Sequence, residues 1–221
     1  MKKEGMWKIA IVTLFAIAMA FLESAVVVYI REIFYDGGFS FPLKGFIEDY
    51  VLKIEWIREF FTIVMLICIA LLAGKKFYER FAYFIYAFAV WDIFYYVWLK
   101  VILGWPESFL TWDVLFLIPW AWISPVLAPL IVSVTFIALA FAIFKKIEKN
   151  KNFKMRKIEW ILFVIGMLLI LYTFFIDYGR LLFTNPELIA SYVPTGYNWI
   201  VFAFGEVLAV CAIVSICLRR K

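Results

Sequence analysis

Three carboxylates stand inside long apolar stretches of this sequence, where a charge is most costly. Asp92 lies near the middle of the run RFAYFIYAFAVWDIFYYVWLKVILG, and Glu206 and Glu23 interrupt two other apolar runs. A charged side chain at the centre of a bilayer costs roughly 2.5–3.5 kcal/mol on insertion scales. Residues of this kind are therefore the first candidates for binding a solute or a proton.

The depth of each carboxylate follows from its position in a helical run. With a rise of about 1.5 Å per residue, Asp92 lies about 1 Å from the middle of its run, Glu206 about 3 Å and Glu23 about 7 Å. Unpaired carboxylates in a low-dielectric interior take up protons or bind a cation. Tyrosine hydroxyls and a long lysine on the Asp92 run could reach the same depth. The candidate substrate- or proton-binding residues are Asp92, Glu206, Glu23, Tyr95, Tyr96 and Lys100.

A second set of charges lies near one predicted membrane surface and could form the mouth of such a site. The outer-mouth candidates are Arg31, Asp113, Asp177 and Arg180. The alternative is that all these groups only tie helices together, each hydrogen bond adding about 0.6 kcal/mol on average. In that case Glu23 could pair with Lys100, and Asp177 with Arg180.

The composition predicts an all-α polytopic membrane protein. Of 221 residues, 67% are hydrophobic, and the mean hydropathy is +0.95. A span needs about 20 apolar residues, and we expect one integral membrane domain over residues 1–221. The six predicted spans are 7–30, 56–73, 80–103, 126–144, 159–176 and 197–218.

The first predicted span contains Ala18-Met19-Ala20, which resembles a signal-peptidase site after a basic start. The apolar run continues beyond it, so we expect an uncleaved first span. In the following loop, Phe46, Ile47, Val51, Leu52 and Ile54 have helical spacing. This spacing predicts a short amphipathic helix at the interface.

The segment 106–124 is rich in tryptophan and contains the run SFLTWDVLFLIPWAWIS. Pro119 interrupts it and Pro125 follows it. Such a segment is typical of an interfacial or re-entrant helix at an aromatic belt. The alternative is one long kinked span over residues 114–144.

The positive charges predict the orientation. Sixteen of the 22 Lys and Arg residues fall before residue 9, at 75–80, at 145–157 or after 218. By the positive-inside rule these segments face the cytoplasm, which places both termini there and predicts a multi-pass protein of the cytoplasmic (inner) membrane. The formal charge of +5 is therefore assigned to membrane orientation. The expected partner is the lipid bilayer, with no nucleic acid.

The residue types exclude several kinds of chemistry. Histidine is absent, which excludes His-ligated haem, His-containing zinc sites and a Ser-His-Asp triad. Cys68, Cys211 and Cys217 lie inside predicted spans without metal-ligand spacing. We therefore expect no cofactor, no metal site and no catalytic residue of a known motif.

One local motif has a counterpart in a known family. The stretch Trp91-Asp92-Ile93-Phe94-Tyr95 resembles the aromatic-Asp motif of the presenilin and signal peptide peptidase intramembrane aspartyl proteases. Those enzymes also need Gly-x-Gly-Asp on the next helix. The following aspartates here, Asp113 and Asp177, are not preceded by Gly-x-Gly, so the protease activity is not carried over.

Three functions fit these features. The first is a small carrier or channel for a proton-linked or cationic solute, based on the intramembrane carboxylates. The second is an accessory or assembly subunit of a larger membrane complex, acting through a membrane-protein partner or a second copy of the chain. The third is an enzyme on a lipid-linked substrate, with Arg31 and Arg180 holding a phosphate. We place the first slightly above the second.

Overall fold

The computed structural model describes residues 3–35, 38–42 and 49–219 of the chain. Six long α-helices make up most of it, with a short β-hairpin between the third and fourth helices. In chain order the elements are α1 (Lys3–Phe34), α2 (Asp49–Ala73), α3 (Phe77–Leu103), β1 (Trp112–Phe116), β2 (Trp122–Pro125), α4 (Leu127–Lys149), α5 (Lys157–Thr184), a 3-10 helix (Pro186–Ser191) and α6 (Trp199–Leu218).

All six helices are long and apolar enough to cross a membrane, which confirms the predicted all-α polytopic class. Each predicted span overlaps one helix, although several helices extend beyond the predicted bounds. Helix α2 is one such case, because it begins at Asp49, seven residues before the predicted span. The expected interfacial helix is thus continuous with α2 at Val51, Leu52 and Ile54, while Phe46 and Ile47 lie outside the described residues.

The helix ends follow from local sequence. Gly104 ends α3 in the left-handed conformation, with φ of 69°, and its N–H donates to the Lys100 carbonyl. Glycine adopts that conformation without steric cost. Asn198 is the N-cap residue of α6, and its side-chain oxygen accepts a hydrogen bond from the Val201 N–H at 3.1 Å.

Residues 112–125 form an antiparallel β-hairpin rather than the interfacial or re-entrant helix expected over 106–124. Asp113 pairs with Ser124 and Val114 with Ile123. Pro119 and Pro125 lack the N–H that a continuous helix needs, whereas β-branched and aromatic residues suit a pleated strand. Hydrogen bonds between β1 and β2 satisfy some of the backbone N–H and C=O groups that a helix interrupted by proline would leave without partners.

Helix α3 is the centre of the bundle and packs against α1, α2 and α4. Helix α5 packs mainly along α6, and strand β2 rests on α5 and α4. Because successive helices run antiparallel, the hairpin lies at the end where α1 and α3 finish, which is called the hairpin end below. The lysine-rich connection between α4 and α5 marks the opposite, basic end.

Candidate functional site

A cavity of about 410 Å³ opens inside the bundle near the hairpin end. Five helices, α1 to α5, contribute to its walls, and strand β1 with the loop after it covers one side. This volume is in the range of small-molecule sites, which are roughly 300–1,000 Å³. The charged residues that line it are Glu23, Arg31, Glu55, Arg58, Glu59, Asp92 and Asp113. Among the described residues of the lining, carboxylates therefore outnumber cations by five to two.

Arg58 of α2 occupies the first of two ion-pair groups. It contacts the Glu23 carboxylate of α1 and lies 2.7 Å from Glu55 Oε2, one turn earlier on its own helix. Thr62 also donates its hydroxyl hydrogen to Glu23. Glu23 is thus paired with Arg58 rather than with Lys100. The guanidinium of Arg58 contacts two buried carboxylates, those of Glu23 and Glu55.

Arg31 of α1 forms the second group, at the hairpin. Its Nη2 donates to Asp113 Oδ1 at 3.1 Å, and Tyr96 donates its hydroxyl hydrogen to Asp113 Oδ2 at 3.2 Å. The guanidinium lies 3.9 Å from the ring centre of Trp105 and 4.5 Å from that of Phe39, which are cation–π distances. Burial raises the pKa of the Asp113 carboxyl, while the nearby Arg31 charge opposes that rise.

Glu59 of α2 fixes the hairpin to the helix bundle. Both of its carboxylate oxygens accept from the Leu117 N–H, at 3.0 and 2.9 Å. Leu117 follows β1, so its N–H is not part of the ladder with β2. Strand β2 in turn packs on α5. The hairpin therefore connects α2 with α5, two helices that both line the cavity.

Among the described carboxylates that line the cavity, Asp92 has the least compensation. Its Oδ2 accepts from the Ser133 hydroxyl of α4 at 2.8 Å. In the described part of the chain, no Lys or Arg lies within ion-pair distance of it. The two arginines of the cavity lining, Arg31 and Arg58, form ion pairs with other carboxylates. The side chain is only partly buried, since the cavity reaches it.

Aromatic rings form a continuous wall around Asp92. Neighbouring ring centres in this wall are 5.4–6.3 Å apart, the usual range for aromatic pairs. The aromatic wall, in order of contact, consists of Phe163, Phe136, Phe88, Trp91, Phe116, Trp122 and Phe174. All seven line the cavity. An acid set in such a wall can attract a cation by its charge and by the ring faces together.

Glu206 does not join this site, although its depth in the sequence matches that of Asp92. It accepts from the Thr135 hydroxyl at 2.7 Å and lies between α4 and α6. Its other oxygen, Oε1, is buried without a hydrogen-bond partner among the described residues. Ser133 and Thr135 are two residues apart on α4, a rotation of roughly 200°, so the two carboxylates approach α4 from different sides.

Three other predicted residues also lie away from the cavity. Lys100 donates to the Gly104 and Pro106 carbonyls, both at 2.8 Å. Asp177 and Arg180 line a separate, shallower depression with Tyr192. Arg31 and Arg180 thus lie in different depressions, and together they do not form the phosphate site considered above. Tyr95 and Tyr96 do line the cavity beside Asp92 and Asp113.

The main omission from the sequence-based prediction is a polar stripe on α2. Glu55, Arg58, Glu59 and Thr62 follow each other at helical spacing and all line the cavity. Residues three and four apart lie on one helix face, so this spacing alone predicts a shared polar face. Starting the span at Trp56 concealed the pattern, because it assigned the first of these charges to a loop.

Among the described residues, no group of three or more Asp, Glu or Cys side chains is placed to hold one metal ion. No family model matches this chain, and neither a curated protein nor a solved structure shows significant similarity to it.

Proposed function

We propose that this multi-pass membrane protein is a small carrier for a cationic solute, with Asp92 as the carboxylate that binds the cation. The observation that carries the proposal is the position of Asp92. It lies in a membrane-spanning helix, opens onto a cavity and has a single hydroxyl as its partner in the described chain. A buried charge of this kind is expensive, and a bound cation or proton would compensate for it.

The shape of the cavity favours a carrier over an open channel. The cavity lies toward the hairpin end of the bundle. The rings of Phe81 and Phe163 line the part of the cavity that is nearest to the basic end. Phe81 packs against Trp160 at 5.1 Å between ring centres, and Tyr78 packs against Phe153 at 5.8 Å. These rings fill the bundle toward the basic end. Transport across such a plug requires a conformational change, which is a property of carriers.

The proposed orientation follows the distribution of Lys and Arg. The basic end faces the cytoplasm, together with both termini, and the hairpin end faces the opposite side of the membrane. Under this proposal the solute enters from the hairpin side. Protonation of Asp92 in the empty carrier would couple transport to protons.

The test is a flux assay in proteoliposomes loaded with a pH-sensitive dye. Gradients of permanently charged cations, from Na⁺ and choline to benzyltrimethylammonium, are imposed and the internal pH is followed. We expect at least one cation to drive a pH change in the wild type, and Asp92→Asn to abolish it. Glu187→Gln, an exposed acid on the 3-10 helix, serves as the matched control.

Two results would overturn the proposal. One is the absence of any cation-driven pH change with folded wild-type protein. The other is an Asp92→Asn variant that transports as well as the wild type and its Glu187→Gln control. Either result would shift attention to an accessory role, which the co-purification of a stoichiometric membrane partner would then support.

A further inference from the structure

The walls of the cavity specify more than the charge of the solute. Apart from its charged groups, the lining consists mainly of aromatic and aliphatic side chains from α3, α4, α5 and the hairpin. A small hydrophilic cation entering this space would lose its hydration shell and gain few replacement ligands. A cation with an apolar body loses much less, because the body leaves water favourably.

The described surroundings of Asp92 do not match an inorganic-ion site. Ca²⁺ takes six to eight oxygen ligands, and Mg²⁺ needs an octahedral set of ligands. Asp92 accepts from one hydroxyl in the described chain, that of Ser133, while Phe88 precedes it by one turn of α3 and Trp91 by one residue. No group of acids among the described residues is placed to hold one metal ion. One carboxylate beside ring faces suits an ammonium-type ligand instead.

The aromatic wall supplies the second part of the recognition. Phe88, Trp91 and Phe136 lie in contact around the Asp92 turn of α3, with ring centres 5.4 and 5.9 Å apart. A cation over such ring faces is attracted by their negative electrostatic potential, and more strongly when water is excluded. The rings also provide apolar area for a body of several carbon groups, for which a cavity of about 410 Å³ has room.

We infer that the ligand of this cavity is a lipophilic organic cation, with its charge beside Asp92 and its apolar body against the aromatic wall. The inference rests on the proposed function and adds the substrate class to it. Under this inference, the affinity of a ligand depends on its apolar body as much as on its charge. An anion of equal size and a cation without a body should both bind poorly.

The test is equilibrium binding of radiolabelled tetraphenylphosphonium to protein in nanodiscs, with empty nanodiscs of the same lipid as the blank. Competitors are tetramethylammonium and Na⁺, which lack the aromatic body. Binding of radiolabelled tetraphenylborate, an anion of nearly the same shape, is measured in separate samples because the two ions pair with each other. We expect saturable binding of tetraphenylphosphonium and no saturable binding of tetraphenylborate. Tetramethylammonium and Na⁺ should displace the probe at concentrations at least a hundredfold higher than unlabelled tetraphenylphosphonium.

Two matched variants locate the site. Phe88→Leu in the aromatic wall should weaken binding by three- to tenfold, while Phe204→Leu should change it less than twofold. Phe204 is the control because it is 58% exposed on the outside of α6. Asp92→Asn should weaken binding at least tenfold. The competitor series on the wild-type protein needs no variant, so it stays informative even if a substitution prevents folding.

The outcomes separate the substrate class from the proposed function. Absence of saturable tetraphenylphosphonium binding, or equally tight saturable binding of tetraphenylborate, overturns the inferred class. Displacement by Na⁺ or tetramethylammonium as effective as by the probe overturns it too, although the carrier proposal would then stand. Binding as expected without any cation-driven flux would support the class and overturn the carrier.

Discussion

Asp92 and Glu206 present the same feature in the sequence and have opposite surroundings in the structure. Each is an acid near the middle of an apolar helix, and each accepts one hydroxyl hydrogen from α4. Asp92 opens onto the cavity and the aromatic wall. Glu206 is enclosed where α4, α5 and α6 meet. Depth in the membrane therefore does not decide whether an acid can meet a ligand.

The difference arises from how closely the helices approach on each side. Beside Glu206, the backbones of α5 and α6 are in contact through Gly166 and Gly205, and a Cβ built on Gly205 would lie 2.7 Å from the Gly166 carbonyl oxygen. Small residues allow such contact between membrane helices. On the Asp92 side, large aromatic side chains of α3, α4 and α5 line the cavity that reaches the acid. Glu206 therefore only connects α6 with α4, whereas Asp92 can be reached from the cavity.

The largest effect on stability should come from the ion pairs that border the cavity. Arg58→Met would leave Glu23 and Glu55 buried without their cation, which should cost about 3–5 kcal/mol. Thermal unfolding in detergent measures the loss. Adding Glu23→Gln to Arg58→Met should restore part of it, because one uncompensated charge disappears. An Arg58→Met protein that unfolds at the wild-type temperature would contradict these pairings.

The next effect contrasts the close-packed side with the hollow side. Gly205→Leu should destabilise the protein by about 1–3 kcal/mol or more, since the α5–α6 contact leaves no room for a side chain. Val132→Phe, which points at the cavity, should cost about 1 kcal/mol or less and reduce tetraphenylphosphonium binding at least fivefold. Urea unfolding and equilibrium binding measure the two properties. Equal destabilisation by both variants would remove the proposed distinction.

A direct comparison uses the two acids themselves. Asp92→Asn should lower tetraphenylphosphonium affinity at least tenfold, while Glu206→Gln should change it less than twofold, because only Asp92 reaches the cavity. Both amides can still accept from their α4 hydroxyls, so each stability change should stay within about 1 kcal/mol. A larger binding loss for Glu206→Gln than for Asp92→Asn would reverse the assignment.

The smallest effect is expected at the exposed charges near the hairpin end. Arg180→Ala should change stability by no more than about 0.5 kcal/mol, as is usual for exposed charges. Tetraphenylphosphonium binding should stay within twofold of the wild type, because Arg180 lines a depression separate from the cavity. A clear loss of binding in this variant would connect that depression with the cavity and restore Arg180 as a mouth residue.

The six spans and the depth of the acids can be predicted from the amino-acid sequence alone. An apolar run of this length has to satisfy its own backbone hydrogen bonds in lipid, and a helix does so without any partner. The polar stripe Glu55, Arg58, Glu59 and Thr62 was also readable, because helical spacing fixes a shared face without knowledge of the neighbouring helices.

Which acids lie close together, and which side chains separate them, depends on how the helices pack. The partners of Asp92 and Glu206 depend on how α3, α4 and α6 are rotated about their axes. Ser133 and Thr135 are only two residues apart on α4, yet they lie on nearly opposite faces of that helix. The hairpin is a second case, because its conformation depends on distant partners such as Glu59, which holds the Leu117 N–H. Contacts between segments far apart in the chain leave no local pattern, so packing alone selects them.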